Sequence, residues 1–297
     1  MLIIKFNFGS MIFIKLLSFL PLTILYWLSD LLSFFLSKII RYRRNVIIHN
    51  LKNSFPDKSH KEIKSIAEDF YRNLADVVVE AIKIRTLSPA ALQKRVKLNA
   101  DLPNKYFHEK KSIIVLTGHL SNWEWLLQAC CSVTKANNCA LLAVYRPLHN
   151  KAFDELMLEL RTRFGAIAVA ERKVLRELTA RRNEIKGLAM VADQTPGGDI
   201  RYWTNFLHQE TGFFTGAEKL ARLSEIPVLF ASMKRVKRGY YEVNFELIEE
   251  PPFDTENENS IIEKYSKKLE AAIIQSPSQW LWSHRRWKHK RKSDYLI

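Results

Sequence analysis

A chain of 297 residues is long enough to bury one large core or two small ones. With 47% hydrophobic residues and only 9 glycines and 10 prolines, it is not disordered, collagen-like or linker-rich. Its 46 Lys and Arg against 31 Asp and Glu leave a formal charge of +15. That charge calls for an anionic partner without choosing among nucleic acid, a lipid surface, a phosphorylated substrate and an acidic carrier protein.

Residues 16–36 read LLSFLPLTILYWLSDLLSFFL, with Asp30 as the only charge. The length suits a single span, but no small-residue cleavage site follows, which argues against a removable signal. On a helical wheel Ser18, Thr23, Ser29, Asp30, Ser33 and Ser37 share an arc of about 140°, and Leu, Phe, Ile, Trp and Tyr fill the rest. This pattern favours one helix lying in a membrane interface over a helix that spans or one buried in the core. Lys38, Arg41, Arg43 and Arg44 follow, where anionic head groups would meet them. Residues 1–45 are therefore expected to form an anchor on a membrane surface, and residues 46–297 a single domain.

Ser59 and Glu62 form a capping-box signal. It opens a helical face of Ile63, Ile66, Phe70, Leu74, Val77, Val78 and Ile82. After Asn99 come four short apolar runs: residues 112–116 (SIIVL), 139–144 (CALLAV), 166–170 (AIAVA) and 187–192 (GLAMVA). Helical periodicity separates them. Alternating strands and helices predict an α/β fold: a single domain with a mostly parallel central sheet flanked by helices. Residues 227–236 and 240–248 read as a hairpin, and residues 258–275 as a last helix. Cys130, Cys131 and Cys139 lack the spacing of a disulfide framework or zinc site and suit free thiols in a reducing compartment.

Parallel sheets bind ligands where their strands end. His119 stands just beyond SIIVL, and Glu124 follows five residues on, in the first turn of the next helix. If Glu124 accepts a hydrogen bond from one imidazole nitrogen, the other is free to take a proton. No serine or cysteine sits in an elbow motif, so the pair suits direct activation of a substrate hydroxyl. The spacing equally allows His119 to cap a strand while Glu124 faces the helix dipole. Arg146 and Asp193 end two more strands; the one suits a phosphate or carboxylate, the other a hydroxyl or an arginine. No metal-ligand spacing or nucleotide loop is present.

The blocks GHLSNWEW, VYRPLHNKAFDELMLELRTRFG, VADQTPGG and QWLWSHRRWKHK, in this order behind YRRNVIIHNLKNSFP, resemble those of the bacterial late lipid A acyltransferases. That family, the lauroyl/myristoyl transferases, belongs to the lysophospholipid acyltransferase superfamily. The resemblance implies a His119 general base with Glu124 as its partner, acting on a hydroxyl that attacks an acyl thioester. It also implies that Arg146 and Asp193 shape the acceptor or phosphate site, and that Asn122, inside the first motif, has a positioning role in substrate binding. The donor would be acyl carrier protein or acyl-coenzyme A, and the acceptor a lipid A precursor. No metal or cofactor is needed, and the domain would lie on the cytoplasmic face of the inner membrane. The tryptophans at 280, 282 and 287 suit either a headgroup-level anchor or ordinary packing. Rival readings are a same-fold enzyme acting on a phosphatidylinositol mannoside, an aminolipid or a lysophospholipid, and an inactive membrane adaptor. A nucleic-acid-binding protein is disfavoured, since the basic clusters adjoin a membrane-type helix and no binding motif accompanies them.

Overall fold

The computed structural model describes residues 8–198 and 200–291. Lys292, the last cation of the C-terminal basic cluster, lies outside them. Among the described residues two helices come first, α1 (Phe8–Phe19) and α2 (Leu22–Phe34), where one was expected. Pro21 divides them, because its ring leaves no N–H for a helix to use. A π-helical turn, Phe35–Ile39, extends α2. The segment Leu22–Ile39 is long and apolar enough to cross a membrane by length and composition. One side of it nevertheless packs on the domain, with Leu25, Ser29 and Ser33 buried.

Next come α3 (Arg44–Ser54) and α4 (His60–Lys83), the latter opened by the Ser59–Glu62 capping box. Then follow α5 (Pro89–Gln93), β1 (Val96–Asn99), α6 (Asp101–His108), β2 (Ile113–Thr117), α7 (Trp123–Ala136), β3 (Ala140–Tyr145), α8 (Lys151–Thr162) and β4 (Ile167–Ala170). The chain continues through α9 (Val174–Ala180), β5 (Lys186–Val191), β6 (Tyr202–Phe206), β7 (Gln209–Phe213) and α10 (Gly216–Ser224). It ends with β8 (Val228–Lys237), β9 (Tyr240–Glu249) and α11 (Ser260–Gln275).

Seven strands form one sheet in the order β1-β9-β8-β2-β5-β3-β4, with every pairing parallel except β8–β9. The apolar runs are buried on both faces. Ile114 and Leu116 of β2 join a core with α3, α4, α10 and α11, whereas Ile113 and Val115 join one with α6, α7 and α8. Such two-sided burial is what continuous apolar strands require. The β6–β7 hairpin stands apart as its own two-stranded sheet.

Three side chains of α2, Tyr26, Ser29 and Asp30, tie it to the domain, and Arg235 adds a second arginine on the Asp76 that Ser29 reaches. Tyr26 Oη donates to Glu80 (2.7 Å), and Ser29 Oγ to Asp76 (2.6 Å). Arg238 bridges Asp30 and Asp76 at 2.7 Å each, and Arg235 donates to Asp76 at 2.7 Å. Of the wheel's polar stripe, Ser18, Ser29 and Ser33 are buried and Asp30 is paired with Arg238, while Thr23 stays exposed. Outward stand Phe13, Leu16, Phe19, Trp27, Leu31, Phe34 and Ile39, all exposed.

Candidate functional site

Strand register brings the site together. Thr117 of β2 lies opposite Val191 of β5, so two residues further along each strand His119 meets Asp193. The imidazole Nδ1 is 2.6 Å from Asp193 Oδ1. The other carboxylate oxygen, Oδ2, accepts from the His119 backbone N–H and from Trp280 Nε1, both at 2.7 Å. Asp193 is 2% exposed. Burial alone would raise its pKa, but the facing His119 and the N–H donors outweigh burial and hold the carboxyl at about 2. An ionised Asp193 only accepts, so Nδ1 carries a proton, and in the neutral ring Nε2 is then the nitrogen with the lone pair. Gln194 Nε2 stands 3.2 Å from that lone pair and is the donor toward it.

The geometry corrects the expected His119–Glu124 hydrogen bond. Glu124 is buried on α7 and engaged by Arg161 of α8, which grips it through Nε (3.0 Å) and Nη2 (2.6 Å). Burial would lower the Arg161 pKa, yet the charge and hydrogen bonds of Glu124 raise it. Glu124 reaches the imidazole only indirectly. Its Oε1 accepts from Trp123 Nε1 at 3.1 Å, and the Trp123 ring meets the His119 ring edge-on with centroids 5.0 Å apart.

Asn122 is fully buried and committed at both ends. Its Oδ1 caps α7 by accepting from Trp125 N–H (2.9 Å), and its Nδ2 donates to Glu80 (2.5 Å). This corrects its expected place among substrate contacts: it positions the helix that follows His119. Arg146 ends β3 at the same sheet edge, but its guanidinium is largely exposed and paired with Glu171 at 3.0 and 3.1 Å.

Backbone details fit the same purpose. Gly118 is needed for close approach: a Cβ there would stand 2.6 Å from Leu269 Cδ1 and 3.1 Å from Asp193 Oδ2. The left-handed residue of this turn is Ser121, at φ 54°. Its hydroxyl lies between two acceptors, Met233 O (2.7 Å) and Gln279 Oε1, with one proton to share, and its N–H donates to Gln279 O (2.8 Å).

The segment after α11 straps both loops. Leu120 pairs with Trp280, while Thr195 N–H donates to His284 Nε2 (3.1 Å) and Thr195 Oγ1 to Arg286 O (2.8 Å). Burial pushes the His284 pKa down to about 4, in keeping with a neutral ring that accepts. Trp280 and Trp282 are 2% and 0% exposed and stack edge to face, so they are core residues and not an anchor in a headgroup layer. Sequence reasoning missed Gln194, Trp280, His284 and Arg161, although all four lie in the motif blocks.

A family model described as bacterial lipid A biosynthesis acyltransferase matches residues 2–289. The lipid A biosynthesis palmitoleoyltransferase of Escherichia coli (strain K12) is 23% identical over 273 residues, covering 91% of this chain and 86% of that protein. The lipid A biosynthesis acyltransferase of Shigella flexneri matches to the same extent. An α/β sheet edge that pairs a histidine with a buried carboxylate, in a chain matched along nearly its whole length, identifies an O-acyltransferase of the bacterial lipid A biosynthesis acyltransferase family.

Proposed function

We propose that this enzyme moves a fatty acyl group from an acyl thioester to a hydroxyl of a lipid A precursor, with His119 as general base and Asp193 as the carboxylate that orients it. The observation that carries this reading is the 2.6 Å contact between Nδ1 and an Asp193 carboxylate held at about 2. It leaves Nε2 basic and pointing its lone pair at the Gln194 amide, which must yield that place to the acceptor hydroxyl. Nε2 takes the hydroxyl proton as the oxygen attacks the thioester carbonyl. The C–S bond then breaks, and the imidazolium returns the proton to the leaving thiolate, so protons and charge balance. Asp193 stabilises the imidazolium between these steps.

Glu124 acts one contact further out in this scheme, holding Trp123 against the imidazole while Arg161 fixes it. Arg146 offers an exposed cation to an acceptor phosphate once Glu171 gives way. A net charge of +15 suits an anionic thioester donor, and both acyl carrier protein and the polyphosphorylated coenzyme A are anions. The exposed apolar side of α1 and α2 supports docking of the enzyme on a membrane surface, and the cytoplasmic face of the inner membrane is the surface we propose.

The test is a thioester-dependent transfer assay with purified enzyme and an underacylated lipid A precursor, read by mass spectrometry. His119→Ala is expected to lower kcat by about 10²–10⁴-fold. Glu124→Gln should cost about tenfold, since it weakens only the Arg161 clamp. Unchanged turnover in His119→Ala would overturn the assignment of the base.

A further inference from the structure

Between α2 and α3 the backbone departs from regular geometry twice. The π-helical turn Phe35–Ile39 is followed by two left-handed arginines, Arg41 (φ 51°) and Arg43 (φ 49°). π-helical turns are frequent at functional positions, and non-glycine residues at positive φ are strained unless the surroundings hold them. Here Arg43 is held by the strap, donating to Ser283 O at 2.8 Å.

The bend leaves a cleft of about 140 Å³ between the end of α2, α3 and α4. Lys38, Arg44 and Lys64 bring positive charge to it, and Ile47 and Ala67 give it an apolar floor. Glu68 is the single carboxylate among its lining residues and is hydrogen-bonded to Lys38 at 2.7 Å. Three cations thus face one acid in a concave site. Exposed Phe34, Phe35, Ile39 and Ile40 adjoin it in sequence and continue the apolar surface of α2.

A cationic hollow bordered by apolar surface matches an amphiphile with an anionic head. We propose that this cleft binds the phosphate-bearing headgroup of an anionic glycerophospholipid, whose chains run along the exposed face of α2. The proposal rests on the membrane-docking reading above and adds to it a discrete lipid site. A bulk lipid is favoured over the phosphorylated acceptor because the cleft is lined by none of His119, Asp193, Gln194 or Arg146.

The test compares the full-length enzyme on vesicles of phosphatidylcholine alone and of phosphatidylcholine with phosphatidylglycerol, with native mass spectrometry to count retained lipid. Arg44→Gln/Lys64→Gln should reduce the preference for anionic vesicles by about 30-fold and leave binding to neutral vesicles unchanged. Ala67→Leu fills the floor without changing charge, and is expected to lose both the retained phosphatidylglycerol and most of the preference. If its melting temperature shows that it does not fold, Ile48→Trp fills the same cleft from α3. Preference kept in the cavity-filling variant, even if lost in the charge variant, would mean diffuse attraction and overturn the site. A raised KM for the lipid A precursor with unchanged vesicle preference would give the cleft to the acceptor instead and overturn it equally. Wild-type enzyme that binds neither vesicle would sink the docking reading itself, and the lipid site with it.

Discussion

The two oxygens of Asp193 do different work. Oδ1 faces the imidazole, while Oδ2 is claimed by two N–H donors, the His119 backbone and the Trp280 indole. An asparagine at 193 can satisfy those two donors only by placing its carbonyl where Oδ2 stands. Its NH₂ then points at Nδ1 and stabilises the tautomer protonated on Nε2, which cannot act as a base. Asp193→Asn is therefore expected to fold normally and to lose about 10³–10⁴-fold in kcat, with nitrogen NMR shifts reporting the switched tautomer. A folded Asp193→Asn enzyme with near-normal turnover would remove Asp193 from the dyad. Each member was legible as a polar residue at a strand end. Their pairing was not, because it depends on β5 inserting beside β2, a matter of strand order and not of sequence order. Glu124 looked the better partner because it is close in the chain, but helix α7 turns it toward α8 and Arg161.

At the scale of elements, the strap after α11 is bonded to both loops that carry the proposed dyad. His284 lies at its middle and accepts from the Thr195 N–H, which requires a neutral ring. Its pKa in the fold is about 4, pushed down first by burial, against an ordinary value of 6.5. Between those values the unfolded chain binds a proton that the folded chain refuses, so stability falls as the pH drops from 6.5 toward 4. The loss amounts to on the order of 2–3 kcal/mol. Asp193, held at about 2, adds its own loss only below about 3.8. His284→Gln keeps an acceptor for Thr195 and should flatten the decline between pH 6.5 and 4 in denaturant titrations; an unchanged slope would place the proton elsewhere. The strands β2 to β5 and the β8–β9 hairpin could be read from apolar runs and turn residues. The β6–β7 hairpin could not, because its turn places Leu207 and His208 at φ 52° and 60° where Asn-Gly would be the usual signal. Tertiary contacts hold it instead: Leu207 is buried and its N–H donates to Glu270 at 2.6 Å.

For the whole molecule, the question is whether α1 and α2 are a removable anchor or part of the enzyme. Lys83 Nζ donates to Ser18 O and Leu20 O at 2.9 Å each, and Tyr26, Ser29 and Asp30 satisfy Glu80, Asp76 and Arg238. Glu80 also accepts from Tyr241 and from the Asn122 cap, so α2 reaches the loop after His119 through one buried carboxylate. Deleting residues 1–37 would strand these buried groups, and loss of folding is the expected result, not a clean soluble domain. The same packing argues against a span: Asp30 at mid-helix is paired with Arg238, and carrying that side of α2 through a bilayer would drag the domain along. Phe13, Leu16, Trp27 and Leu31 face outward and touch little of the domain, each more than half exposed. Each contributes about 1.5–3 kcal/mol when fully buried. Changing all four to serine should keep the melting temperature within a few degrees of wild type and lower vesicle partitioning about a thousandfold, allowing for partial exposure. The KM for a vesicle-borne acceptor should rise while kcat holds. A variant that still floats with neutral vesicles would move the membrane contact away from this face and leave the apolar surface of α1 and α2 without that purpose.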